Sequence, residues 1–562
     1  MVSIQNLEFE LEALLREKKY SEIIFEITTK TKEEERNAGL FVLLGISRIS
    51  LNKKKKDQVQ LAVNDFKKGY LKEKTSENGF NALVNFILAS VILSEFENID
   101  VDFDEIKNFY NELPKTHQEK RAINIAMTTI CSKFVDHEVM LFHLEKVIKS
   151  GNFISNDLCN YGYWRCFDKN WSQREFFDYG KFVDKNLPEY PQDQIVKLSN
   201  KKNNKIKLGF LSADLKKGHS ITYFLKTILL NYNKDQIEIY LLSNQIDFNF
   251  ISREISDLVL KTIDISKLND LNALNQIREL NLDIIIDVMG YTSRNRIGLF
   301  KNRIAKKQVL WMGYCNTTGL QNMDYIMTDP NLIYENEKNL YAEQVLYLPE
   351  IWNTHCGFDF ERKENPPPLI KNNYITFGSF NNYDKINPDV IFTWSKILKK
   401  TNNSKLVLKT SSKRLATKRL KDAFKKNGVL ESVRFIDRAE KFQDHMNNYN
   451  LIDIALDTFP YNGVTTSFEA TWMGVPVLTM SGYNFNSRCG ESINKNLNME
   501  QLIAKNEDDY VLKAVNLSNN HNDYINQRKM VFSNALKSPL FDGQGYAKSF
   551  FETLEVIASR NI

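Results

Sequence analysis

The stretch Leu451–Met480, LIDIALDTFPYNGVTTSFEATWMGVPVLTM, decides how the chain is read. An apolar run ends in Asp457, a turn passes through Pro460 and Gly463, two adjacent hydroxyls follow at Thr465 and Thr466, and helix-compatible residues continue to Trp472. A second apolar run, Val475–Met480, comes a few residues later, which gives the length and pattern of a strand–helix–strand crossover. A loop leading from a strand into a helix turns free N–H groups outward at the positive end of the helix dipole, a natural seat for phosphate. On this reading Gly463, Thr465 and Thr466 form the seat. Glu469, one turn further on, is an acceptor for sugar hydroxyls. The same Gly-Val-Thr-Thr turn also reads as an ordinary helix start with threonine as N-cap, so the context has to decide.

Working outward, the pattern of strand then helix repeats on both sides. Expected strands before this stretch are Ile206–Leu211, Ile237–Leu242, Asp283–Val288, Gln308–Met312 and Tyr325–Thr328, then Ile375–Phe380, Lys405–Leu408 and Val433–Ile436. Ile452–Leu456 and Val475–Thr479 belong to the opening stretch itself. This alternation predicts an α/β protein with two doubly wound, Rossmann-like domains and a cleft between the carboxyl ends of their strands. Pro366–Pro368 marks the break between them as a stiff extended spacer. Before residue 187 the periodicity is helical, as in Ala38–Ile49, Gln60–Tyr70 and Phe80–Ser94, and AVNDFKKGY resembles tetratricopeptide helix pairs. The expected division is 1–187 helical, 188–205 linker, 206–365 first α/β domain, 366–540 second α/β domain, and 541–562 a C-terminal helix.

Composition narrows the function class. The 562 residues are 42% hydrophobic and 26% charged, and 75 basic against 70 acidic residues leave a balanced surface, not a nucleic-acid footprint. No apolar run approaches the roughly 20 residues of a membrane span, and MVSIQNLEFELEALL carries acids where a signal peptide carries basic residues, so a cytoplasmic protein is expected. Six dispersed cysteines form no CxxC pair and suggest neither a zinc site nor a disulfide framework.

Four loops should meet at the cleft. Ser212–Ser220 places His219 at a helix start, where an imidazole can bond a substrate hydroxyl or take a proton. Gly313 and Tyr314 open GYCNTTG, whose glycines let backbone approach a ligand. SFNNYDKINP carries Asn382 and then Lys385 just ahead of an Asn387-Pro388 helix start. The opening stretch is the fourth, with His445 of KFQDH nearby to flank a flat base. A lysine, helix starts, hydroxyls and a histidine, with no HExxH or DxD sequence near these loops, suit a diphosphate leaving group held by fixed positive charge.

These residues, with GFLSADLKKGHSITYFL, GYTSRNRIGLFKNRIAKKQVLWMGYCNTTGLQNMDYIMTD and FGSFNNYDKINPDVIFTWSKIL, resemble the O-linked N-acetylglucosamine transferase and SPINDLY family of GT-B glycosyltransferases over about residues 206 to 560. The resemblance implies an inverting, metal-independent transfer from a nucleotide sugar, UDP-N-acetylglucosamine on the first reading, to protein serine or threonine. No cofactor besides the donor substrate is implied. By position, His219 matches the cleft histidine and Lys385 the lysine that neutralises the departing diphosphate. Thr465 and Thr466 match the phosphate hydroxyls, Glu469 a ribose-holding aspartate and His445 the histidine beside the base. Val464, Phe442 and Asn382 depart from the family's histidine, lysine and glutamine at their positions. The expected partners are the nucleotide sugar and a protein acceptor recognised partly by the helical third, with no nucleic acid. The alternatives are another donor (GDP-fucose, UDP-glucose or a CMP-sugar) acting on flagellin or another acceptor, or an inactive helical-repeat binding module.

Overall fold

Ile206–Ser212 is apolar along almost its whole length and becomes β1, buried on both faces at the centre of a parallel sheet. In the computed structural model, which describes residues 4–97, 99–199, 203–410 and 414–560, six further strands join it. They are β2 (Ile237–Ser243), β3 (Lys261–Asp264), β4 (Ile284–Asp287), β5 (Lys307–Leu310), β6 (Tyr325–Thr328) and β7 (Gln344–Tyr347). The order is β3-β2-β1-β4-β5-β6-β7, and Phe210 sits in register with Leu241 on one side and Ile286 on the other. A second parallel sheet holds β8 (Thr376–Ser379), β9 (Lys405–Lys409), β10 (Val433–Ile436), β11 (Ile454–Leu456), β12 (Val477–Met480) and β13 (Ile503–Ala504) in the order β10-β9-β8-β11-β12-β13. Strand order reverses between β1 and β4 and between β8 and β11, and ligands bind in the crevice at such switch points. The segments after β1, β8 and β11 carry His219, then Asn382 and Lys385, then Gly463, Thr465, Thr466 and Glu469, while Gly313 and Tyr314 follow β5 and His445 follows β10.

The two-sheet α/β architecture follows the sequence reading. Three short strands escape it: β3, β7 and β13 are strands of two to four residues at sheet edges, with polar or half-exposed positions in place of an apolar run. Pro368 does not continue a spacer. It opens a short helix, Pro368–Asn372, with Pro367 at its N-cap, a position where the missing N–H costs nothing.

By contact the chain forms two compact units, Met1–Asp157 with Ser411–Asp422, and Leu158–Thr410 with Ala423–Ile562. The first is helical. Helices Ala38–Asn52, Lys56–Lys72 and Glu77–Leu93 follow one another through short connections, and Leu7, Leu11, Ile23, Ile27, Leu40 and Leu44 close one core at its start. The second contains both sheets and the helix Gln173–Asn186, which the sequence reading groups with the helical third. Gln173 Nε2 donates to Asn316 Oδ1 at 2.9 Å, and Gly180 lies so close to Gly319 that a Cβ on either would meet the other's backbone. The C-terminal helix Gly543–Ser559 returns to the first sheet, where Phe550 packs 4.8 Å from Trp311 and the Tyr546 hydroxyl donates to the Trp352 carbonyl at 2.6 Å. No helix among the described residues is long and apolar enough to cross a membrane.

The two sheets are also joined by polar contacts. Arg488 makes a bidentate pair with Glu337 at 2.6 and 2.8 Å, and the Ser492 hydroxyl donates to Asp329 Oδ2 at 2.7 Å. Burial lifts Asp329 to a pKa of about 7 in spite of that bond.

Candidate functional site

The residue after β11 organises the whole turn. Asp457 is 1% exposed, and its Oδ1 accepts the N–H groups of Thr458 at 2.8 Å and Gly463 at 2.7 Å, while Oδ2 accepts the Thr479 hydroxyl at 2.8 Å. Burial raises its pKa to about 6, against those bonds and the charge of Lys385. Asn462 adds a clasp, donating to the Thr458 carbonyl at 2.9 Å and accepting from Gly490 N at 3.2 Å. The loop therefore folds back on its own strand end. Neither threonine is the N-cap: Val464 holds that position, makes no side-chain cap, and leaves Thr465 and Thr466 inside the first turn of the helix Thr465–Trp472. The valine carbonyl accepts from Ser467 N and Phe468 N, but its side chain has no acceptor, so the first N–H groups of the helix are left for another acceptor to complete.

Lys385 closes the turn Tyr383–Lys385 after β8. Its half-buried ammonium donates to the Asn462 carbonyl at 2.6 Å and lies 4.3 Å from the centre of the Tyr461 ring. Burial lowers its pKa, and Asp457 opposes the shift. The two loops are stitched further by Thr466 Oγ1 donating to Asn381 Oδ1 at 2.8 Å and by Asn387. Asn387 caps the helix Pro388–Lys400 through Val390 N at 2.9 Å and donates to the Phe459 carbonyl at 2.7 Å. Asn382 is exposed and caps the Tyr383–Lys385 turn, accepting from Asp384 N at 3.3 Å.

Glu469 lies one turn into the helix and is buried. Its Oε2 accepts the Tyr449 hydroxyl at 2.7 Å and stands 2.9 Å from His445 Nε2. Burial pushes this carboxyl up, but His445, Lys409 and Tyr449 outweigh it and hold the pKa below the ordinary glutamate value. The glutamate expected to meet a sugar hydroxyl is thus already engaged through Oε2.

Across the cleft, His219 is the N-cap of the helix Ser220–Leu229 and is half-buried; burial lowers its pKa, with Asp214 opposing. Gly313 is forced by backbone approach, since a Cβ there would fall 1.8 Å from the Val288 carbonyl oxygen. Tyr314 is buried and packs 4.9 Å ring to ring from Tyr291, inside the first α/β half. The rest of that loop is braced by buried Glu343, which accepts the hydroxyls of Thr317 at 2.6 Å and Thr318 at 2.5 Å and the Thr318 N–H at 2.7 Å. A cavity of about 840 Å³ opens where the halves meet, and its lining includes Lys217, Gly218, Tyr223, Phe358, Phe442 and Trp472.

The structure therefore gathers Lys385, Gly463 and Thr466 into one hydrogen-bonded cluster and Glu469 with His445 into a second, joined by one helix. His219, Gly313 and Tyr314 belong to the opposite half. Asp457, Asn462, Asn381, Tyr449 and Glu343 hold this arrangement and were not singled out as site residues from sequence. For Asp457 a signal existed, an acid directly after an apolar strand and before a glycine turn.

Residues 181–356 and 368–550 match the family described as glycosyl transferase family 41. A probable UDP-N-acetylglucosamine–peptide N-acetylglucosaminyltransferase SPINDLY from Solanum lycopersicum is 31% identical over 383 residues, covering 66% of this chain and 40% of that protein. Its counterpart from Eustoma exaltatum subsp. russellianum is 32% identical, covering 69% and 41%. The chain thus spans about two fifths of the length of these relatives. A solved structure of a mutant O-GlcNAc transferase from Thermobaculum terrenum has the same fold, with a TM-score of 0.76 at 19% identity over 94% of this chain and 98% of that one.

Proposed function

Because the chain belongs to glycosyltransferase family 41, we propose that it transfers N-acetylglucosamine from UDP-N-acetylglucosamine to serine or threonine hydroxyls of a protein, with inversion and without a divalent metal. The observation that carries this reading is the seat itself. Lys385 reaches the Asn462 carbonyl beside an uncapped helix start, so one fixed cation and the positive end of a helix meet where a diphosphate would develop charge. The names borne by the relatives support the donor and the peptide acceptor. The first-turn hydroxyls of Thr465 and Thr466 extend the seat, and Glu469 with His445 continues it in the direction the nucleoside would take. The helical unit supplies part of the acceptor's docking surface.

A second reading keeps the chemistry and changes the donor. Phe442, where the best-known members of the family have a lysine near the base, lines the aromatic cavity in this chain, which favours a base or sugar outside the UDP-N-acetylglucosamine pair. Donor-induced thermal stabilisation across UDP-, GDP- and CMP-sugars separates the two readings, since a ligand at about 100 times its Kd adds ~2.7 kcal/mol. For the chemistry, Lys385→Ala is expected to lower turnover by about 10² or more while the fold stays intact. Near wild-type turnover in that variant, or loss of activity in EDTA, removes the fixed-cation mechanism.

A further inference from the structure

His219 is engaged at one ring nitrogen by its own helix. Nδ1 accepts the backbone N–H of Ile221 at 3.4 Å. A backbone N–H can only donate, so Nδ1 carries the lone pair and the proton of the neutral ring sits on Nε2. Burial reinforces this by disfavouring the imidazolium, although Asp214 favours it and Lys216 does not. The free side of the ring is a donor, and it cannot serve as the base that its place in the cleft suggests.

What Nε2 faces is a carboxylate. Asp214 Oδ1 lies 3.7 Å from it, and Lys216 Nζ is 4.0 Å from the same oxygen. A 3.7 Å separation is too long for a direct hydrogen bond, yet a single hydroxyl oxygen can stand at ~2.8 Å from both atoms. The Asp214 side chain keeps 27% of its exposure and sits on the same loop after β1 as Lys217 and Gly218, which line the cavity. Its backbone is anchored independently, with its N–H donated to Ser212 Oγ at 3.0 Å and its carbonyl accepting from Thr222 Oγ1 at 3.4 Å. The loop therefore does not depend on the carboxylate for its shape.

We propose that Asp214 is a catalytic residue of this site: the acceptor hydroxyl lodges between His219 and Asp214, receives a hydrogen bond from Nε2–H and gives its proton to Oδ1. The inference rests on the transfer reading above. In the step, a lone pair of the acceptor oxygen forms the bond to the anomeric carbon and the bond from that carbon to the phosphate oxygen breaks. Its electron pair departs with the diphosphate toward Lys385, and the proton stays on Asp214.

The test compares a serine peptide acceptor with the same peptide bearing cysteine at that position. A thiol with a pKa near about 8.5 gives up its proton without help far more readily than an alcohol. Asp214→Asn keeps the shape and removes the basicity, and it should lower turnover on the serine peptide by about 10²- to 10⁴-fold. On the cysteine peptide the loss should be small, and donor-induced stabilisation should match wild type. Equal losses on both peptides, or no loss on the serine peptide, overturn the assignment. Where the wild type accepts only the serine peptide, Asp214→Glu decides: partial recovery supports a proton acceptor, and activity no better than the asparagine variant overturns it. Wild-type protein that binds a donor yet transfers to neither peptide overturns the transfer reading itself, and this inference with it.

Discussion

Replacing Asp457 tests whether one carboxylate shapes the turn proposed as the phosphate seat. Asp457→Ala strips the acceptor from Thr458 N, Gly463 N and Thr479 Oγ1, all buried. Each orphaned donor costs about 1–3 kcal/mol. Against this, a carboxyl whose pKa is raised from 3.8 to about 6 stores roughly 3 kcal/mol of unfavourable burial at neutral pH, which the alanine relieves. The net loss is on the order of 3 kcal/mol, several degrees in Tm. Asp457→Asn behaves differently, because its Oδ1 still accepts from Thr458 and Gly463 and the Thr479 hydroxyl can turn to accept from the new amide. It should stay within about 1 kcal/mol of wild type. Thermal unfolding of both variants, with and without the donor that stabilises wild type, reads the two effects together. The alanine variant should lose most of the donor-induced shift and the asparagine variant should keep it. An alanine variant that melts with wild type and is stabilised equally by donor would refute the role given to Asp457.

Gly313→Ala places a methyl group against the Val288 carbonyl and has to move backbone, so a loss of about 1–3 kcal/mol in denaturant unfolding is expected; an unchanged midpoint would count against the close approach. Arg488→Met leaves Glu337 without its bidentate partner and should cost about 3 kcal/mol in the same assay, at the low end for a buried pair because the Glu337 side chain is 21% exposed. Asp287 is raised to a pKa of about 7 by burial, against the N–H groups of Met289 and Gly290. Its folded pKa exceeds the unfolded value, so its contribution to stability is full below about pH 4 and is lost as pH rises through about 7. Asp287→Asn should therefore gain on wild type as pH climbs from 5 to 8, and a Tm difference independent of pH would refute this.

The sheets were legible where strands are continuous apolar runs, as β1, β2 and β6 are, because burial on both faces leaves that mark on composition. Edge strands such as Lys261–Asp264 and Ile503–Ala504 carry no such mark, since a strand half open to water needs few apolar side chains. At the site, residue type located Lys385 and His219 at turns beyond the strand ends and Thr466 at the helix start that follows one. It did not disclose that Val464 takes the N-cap from the threonines, or that Glu469 is shared with Tyr449 and His445. The Glu469 contacts are long-range pairings, and a hydrogen bond across 20 or 24 residues of chain leaves no local periodicity; the cap at Val464 is set by backbone angles that residue type does not announce. The linker near residue 188 was drawn from its prolines and lysines, whereas the division by contact falls after Asp157.

That division bears on how such a protein can be cut and recombined. The segment before the first strand reaches both halves of the cleft: Gln173 bonds Asn316 on one side, while Asn486 Nδ2 donates to the Cys166 carbonyl, the Tyr483 hydroxyl to the Asp168 carbonyl, and Phe167 stacks on Tyr461 on the other. Tyr461 is also the ring beneath the Lys385 ammonium. A fragment begun at the proline-rich linker would keep every motif and lose the brace behind its lysine. A chimera that exchanges helical thirds between relatives should therefore carry its junction upstream of Leu158, so that the brace travels with the α/β half it supports.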